Sequence, residues 1–166
     1  MLFRSVLFRS VLFSSVRCVL RPASALIAAT VLLSLLSLGW TAGPAAASSS
    51  LGQQAVSEAA RHQGKPYQYG AAGPTRFDCS GLAQFVYGRL GKQLPRTTWA
   101  QHAATIPVAK ADRAPGDLLF MQSSSGSITH VGIYAGSNRW WVAPKTGDVV
   151  KLQTLYSTSY TVGRVG

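Results

Sequence analysis

The sequence predicts an α+β domain with helices packed on an antiparallel sheet. Two observations carry that prediction. After residue 48, apolar residues first recur at helical spacing, and later fall into short runs separated by Gly-, Pro- and Ser-containing turns. Helices first and strands after argue for segregated α+β layers. The chain has 166 residues, enough for one domain once a leader is set aside.

The leader is residues 1–47. It starts basic (Arg4, Arg9, Arg17, Arg21), has no acid, and runs nearly all apolar from Ala23 to Trp40. Small residues at Ala45 and Ala47 then make a cleavage site after Ala47, as in a secretory signal. An uncleaved anchor is the rival expectation, because the apolar stretch is close to spanning length. A pentapeptide repeat, Leu2–Val6, Leu7–Val11 and Leu12–Val16, carries no structural meaning, and Cys18 leaves with the leader.

Residues 48–166 form the expected mature domain, with twelve Lys or Arg against five Asp or Glu. Such a domain is drawn to polyanions, for example anionic wall polymers. Scattered basic residues and the absence of a nucleic-acid motif argue against nucleic acid. His62, His102 and His130 have no metal-ligand spacing, so neither a metal nor a cofactor is expected. A monomer is expected.

In chain order, Gln53 to His62 reads as a helix with Ala55, Val56, Ala59 and Ala60 inward, stopped by Gly64-Lys65-Pro66. A turn-rich loop through Gly70 and Ala71–Pro74 leads to the central helix, with Leu82, Phe85, Val86 and Leu90 as its stripe and Gly91 as its C-terminal stop. Trp99 to Ala104 is a short helix, with His102 expected at the surface. Strands are expected at Leu118–Met121, Ile128–Tyr134, Arg139–Ala143, Val149–Leu155 and Tyr160–Val165. Trp140 and Trp141 should face opposite sides of the sheet. Arg96 and Asp117 should serve turns and local salt links.

Cys79 is the only cysteine of the mature domain, so no internal disulfide can form. A single thiol in an exported protein is either buried and structural or free and reactive. Asp78 is a natural N-cap, which puts Cys79 in the first turn, where the helix dipole favours a thiolate. A nucleophilic cysteine needs a base within reach, and His130 on the Ile128–Tyr134 strand is the candidate. Gly132 leaves room beside it, which the helix carrying Cys79 could use. If Ala135-Gly136-Ser137 is a three-residue hairpin loop, His130 opposes Val142 and Gly132 opposes Trp140. A five-residue loop would instead oppose His130 to Pro144.

Five blocks carry a family resemblance: Pro66-Tyr67-Gln68-Tyr69-Gly70, Phe77-Asp78-Cys79-Ser80-Gly81, Leu94-Pro95-Arg96-Thr97, Pro115-Gly116-Asp117-Leu118 and His130-Val131-Gly132-Ile133-Tyr134. In this order they resemble the NlpC-type (NlpC and p-sixty) family of bacterial cell-wall cysteine peptidases, over nearly the whole mature chain. The resemblance implies a papain-like fold with the nucleophile at the start of the central helix. It implies hydrolysis of peptidoglycan stem peptides, often between D-glutamate and diaminopimelate or lysine, in the cell wall or outside the cell. By position, Cys79 is the nucleophile, His130 the base, Tyr67 lines the site and holds the oxyanion, and Ser80 contributes to the site. The family's third polar residue, often His, lies twelve after the base, where this chain has Val142. The chain also has Ala71 where the family usually has glycine. Val142 leaves three outcomes open: an active dyad peptidase, a weakened enzyme, or a wall-binding pseudoenzyme. A Cys–His amidase or acyltransferase is a further alternative.

Overall fold

A computed structural model describes residues 50–166. The expected leader lies outside the described residues, and with it the basic start, the repeat, Cys18, the apolar stretch and the cleavage site.

Three α-helices precede the sheet: α1 (Leu51–Ala60), α2 (Cys79–Arg89) and α3 (Thr98–Ala104). The strands are β1 (Ile106–Val108), β2 (Leu118–Gln122), β3 (Ile128–Gly136), β4 (Arg139–Val142), β5 (Lys151–Thr154) and β6 (Tyr160–Arg164). They form one six-stranded antiparallel sheet in the order β1-β6-β2-β3-β4-β5. Helices packed on an antiparallel sheet are the α+β arrangement expected from the sequence.

The sheet has two apolar faces. Leu118, Phe120, Val131, Ile133 and Trp141 pack with Leu82, Ala83, Val86 and Tyr87 of α2. Leu119, Met121, Tyr134, Trp140, Val142, Tyr160 and Val162 form a second cluster. Alternation along β4 therefore sends Trp140 and Trp141 to opposite faces, as expected.

Several boundaries moved for local reasons. α1 starts two residues early because the Ser50 hydroxyl accepts the Gln53 amide at 3.3 Å, an N-cap. Ala60 is exposed rather than inward, and Glu58 takes an inner place. β5 is shorter than expected, because the backbone of Val150 pairs with Gly64 and Lys65 after α1 and not with β4. β1 was not expected. It holds Pro107 and an exposed Ile106, shows no apolar alternation, and sits at the sheet edge, where proline is tolerated. His102 is half-buried rather than at the surface, its ring 5.0 Å from that of Phe120.

The β3–β4 hairpin corrects the favoured register. Tyr134 opposes Trp140 and Ile133 opposes Trp141, with an irregularity before Gly136. Ser137 and Asn138 both have positive φ, at 48° and 55°, so the tight turn lies two residues later than the three-residue loop required. Continued along the strands, this register sets Val142 opposite Gly132 and leaves His130 toward Pro144, the five-residue alternative. Nor does α2 fill the space at Gly132. A Cβ there would meet Trp140 Cε3 at 2.5 Å, so the indole occupies it.

Candidate active site

The site begins with the N-terminus of α2. Asp78 caps it, its Oδ1 accepting the Gly81 amide at 2.7 Å. The carboxylate is buried and also accepts from the Gly70 amide at 2.9 Å and from Arg96 at 3.0 and 2.5 Å. Burial alone would raise its pKa. The Arg96 guanidinium and the Gly81 and Gly70 amides outweigh that and hold it below the ordinary carboxylate value. Arg96 thus does more than serve a local turn: it crosses from the loop before α3 to tie down the cap of α2.

The loop from Pro66 to Asp78 wraps this helix end. Gln68 N–H donates to Phe77 O at 2.9 Å, and Asp78 N–H to Ala71 O at 2.8 Å. Tyr67 N–H donates to Asp148 O at 2.9 Å, which anchors the loop to the segment before β5. Gly81 is required here, since an added Cβ would run into the Ala71 backbone. From the other side, Gln101 of α3 donates to Ser80 O at 2.8 Å and to Pro95 O at 2.9 Å.

Cys79 is half-buried, and its Sγ lies 3.7 Å from Thr98 Oγ1. It opens into a cleft of about 470 Å³ whose walls include Tyr67, Tyr69, Asp78, Ser80, Arg96 and His130. Every residue named from the sequence as part of the site lines this one cleft, except Val142. Ser80 lines the cleft, and its hydroxyl donates to Asp78 Oδ1 at 3.2 Å and accepts from Arg96 at 2.9 Å. Its proton is therefore committed to the cap. The Tyr67 phenol is raised above its usual pKa, first by burial and then by the electrostatic influence of Cys79 and Asp78, so it keeps its proton.

His130 sits near the start of β3, beside a bulge where Met121 opposes His130 and Gln122 opposes Ile128. Its imidazole makes no side-chain hydrogen bond among the described residues. Trp140 holds it edge-on instead, with ring centroids 5.7 Å apart and planes at 82°. Burial pushes His130 down to about 4, with a smaller opposing pull from Asp78. The imidazole is therefore neutral at neutral pH and able to accept a proton. Val142 is fully buried in the cluster around Trp140.

Sequence reasoning missed Thr98, Thr129 and Pro144 as cleft residues, and it gave no signal for Gln101. Tyr69, Gly70 and Thr97 also line the cleft and stood in the quoted blocks, without a role of their own. Among the described residues no cluster of His, Cys, Asp or Glu could hold a metal ion.

Residues 64–164 match the model of the NlpC/P60 family. A protein named as a probable endopeptidase p60 from Listeria monocytogenes is 40% identical over 111 residues, which cover 67% of this chain and 22% of that protein. This chain thus spans about a fifth of that relative's length. A crystal structure of the NlpC/p60 domain of peptidoglycan hydrolase SagA superposes with a TM-score of 0.63 at 31% identity, covering 69% of this chain and 98% of that one. RipD from Mycobacterium tuberculosis, described as a non-catalytic NlpC/p60 domain protein adapted to peptidoglycan binding, superposes with a TM-score of 0.60 at 25% identity. That match covers 70% of this chain and 98% of RipD.

Proposed function

Because this chain belongs to the NlpC/P60 family, we propose that it is a peptidoglycan endopeptidase working in the cell wall, with Cys79 as nucleophile and His130 as base. The observation that carries this reading is the single cleft lined by Cys79, His130 and Tyr67, at the capped start of a helix. Neutral His130 takes the thiol proton, and Cys79 Sγ attacks the carbonyl carbon of the scissile amide. The developing oxyanion is held by the Tyr67 hydroxyl and by the Cys79 backbone amide, at the positive end of the α2 dipole. When the tetrahedral intermediate collapses, the C–N bond breaks and His130 hands its proton to the leaving amine. A thioester remains on Cys79. Water, deprotonated by His130, hydrolyses it, releasing the acid and restoring the thiol. The bond favoured by the resemblance joins D-glutamate to diaminopimelate or lysine.

Two observations support a second reading, a wall-binding protein without turnover. The imidazole lacks a hydrogen-bonded partner where the family has a third polar residue, and the non-catalytic RipD shares the fold. One experiment separates the readings. Purified peptidoglycan is incubated with the wild-type protein and with Cys79→Ala, and released peptides are identified by mass. New amino termini at diaminopimelate or lysine with wild type alone are expected. Sedimentation of both proteins with the wall and no released peptide would replace the hydrolase with the binder. Release of whole stem peptides with a free amino-terminal alanine, leaving a carboxylate on the sugar, or transfer of the acyl group to an added amine, would reassign the same Cys–His chemistry.

A further inference from the structure

His130 and Pro144 line a second cavity as well as the Cys79 cleft. It has a volume of about 400 Å³ and lies between β3, β4 and the segment around β5. Its other walls include Trp140, Lys145, Lys151 and Gln153.

Among the charged groups around this space, ammoniums outnumber carboxylates two to one. Lys151 Nζ is paired with Asp148 Oδ2 at 2.7 Å. The second oxygen of Asp148 accepts the Val149 amide at 2.8 Å. The Lys145 ammonium has no hydrogen bond or ion pair among the described residues. Two ammoniums against one carboxylate leave the cavity with a net positive charge. Trp140 closes the inner wall, its side chain fully buried and the Cε3–Cζ3 edge of its indole packed over Gly132. An anionic oxygen is the natural acceptor for the unpaired Lys145 ammonium.

The location indicates which part of a substrate arrives there. In the hydrolase reading, on which this inference rests, His130 delivers its proton to the leaving amine, so the leaving residue lies against the imidazole. A cavity that shares His130 with the cleft then receives the next group along that residue. We propose that this cavity binds the carboxylate of the leaving amino acid, so that the protein prefers stem peptides whose leaving residue carries a free C-terminal carboxylate.

Binding tests this without requiring turnover. Cys79→Ala protein is titrated calorimetrically with L-alanyl-γ-D-glutamyl-L-lysine and with the same peptide as its C-terminal amide. The acid should bind about tenfold more tightly, a typical yield for a charge-assisted hydrogen bond. Adding Lys145→Gln, which leaves the Lys151–Asp148 pair intact, should erase most of that preference with an unchanged thermal midpoint. Adding Lys151→Gln as well should erase the rest. Equal affinity for acid and amide, a preference that survives both substitutions, or no binding of either peptide at millimolar concentration would overturn the proposal. An acid preference that needs the lysines, in a protein whose wild type cleaves nothing, would keep the carboxylate site and remove the hydrolase.

Discussion

In the proposed hydrolase, Val142 is the side chain whose replacement bears most directly on the base. It lies on the Trp140 face of the sheet, diagonal to His130 rather than opposite it, and diagonal neighbours about 7–8 Å apart remain within reach of long side chains. A histidine there can hydrogen-bond the imidazole of His130. Val142→His should raise the hydrolytic rate about tenfold or more, since each factor of ten needs only about 1.4 kcal/mol at the barrier. It should also lower the thermal midpoint, because Val142 is fully buried among apolar groups. Rates and midpoints measured together check both halves. A folded variant no faster than wild type would mean that the edge-on contact with Trp140 already orients His130 well enough.

At the scale of elements, the site depends on how closely the Pro66–Asp78 loop lies against α2. Gly81 sits in the first turn of α2, facing the Ala71 backbone. Gly81→Ala improves helix propensity by about 1 kcal/mol in isolation. Here the collision should win, because backbone cannot move aside as a flexible side chain can. The expected result is a lower thermal midpoint and a larger loss of turnover, since the displaced loop carries Tyr67 and the Gly70 amide that binds Asp78. An unchanged midpoint with unchanged turnover would show that the loop has slack. The same element explains why the short helix α3 matters: Gln101 and Thr98 brace Ser80 and Cys79 from a segment whose sequence looks unremarkable.

For the whole molecule, buried titrating groups set the acid limb of stability. His130 is held at about 4 in the fold against 6.5 unfolded. As pH falls through 6.5, the unfolded chain binds the proton first, so stability is lost progressively down to about pH 4 and no further from this group below that. The shift corresponds to roughly 3 kcal/mol. His62, also lowered by burial and by Lys65, acts in the same direction. Asp78 acts lower: its depressed pKa gives stability that is present above its unfolded value of 3.8 and lost as pH falls through the folded one. Urea unfolding from pH 7 to 3 should therefore show a falling stability that His130→Gln makes distinctly shallower between pH 6.5 and 4, while the loss below pH 3.8 persists. Parallel profiles for wild type and His130→Gln would mean that the imidazole is protonated without cost in the fold.

Much of this was legible in the residue string, and the divide follows the range of the interactions involved. The Asp78 cap, the start of α2 at Cys79, the positions of β2, β3, β4 and β6, and the opposed faces of Trp140 and Trp141 all depend on neighbours a few residues away. Capping geometry and side-chain periodicity are local, so the order of residue types is enough to specify them. The resemblance supplied Tyr67 as a companion of Cys79. The β3–β4 register was not legible, because two turn geometries fit Ala135–Asn138 and the choice rests on how Trp140 packs over Gly132. Neither was the use of Ser80, whose hydroxyl is drawn into the Asp78–Arg96 pair by a residue sixteen positions away. The low pKa of His130 and the cationic cavity beside it belong to the same class. Burial and unpaired donors arise only when distant segments close around a group, and no local pattern records which segments those are.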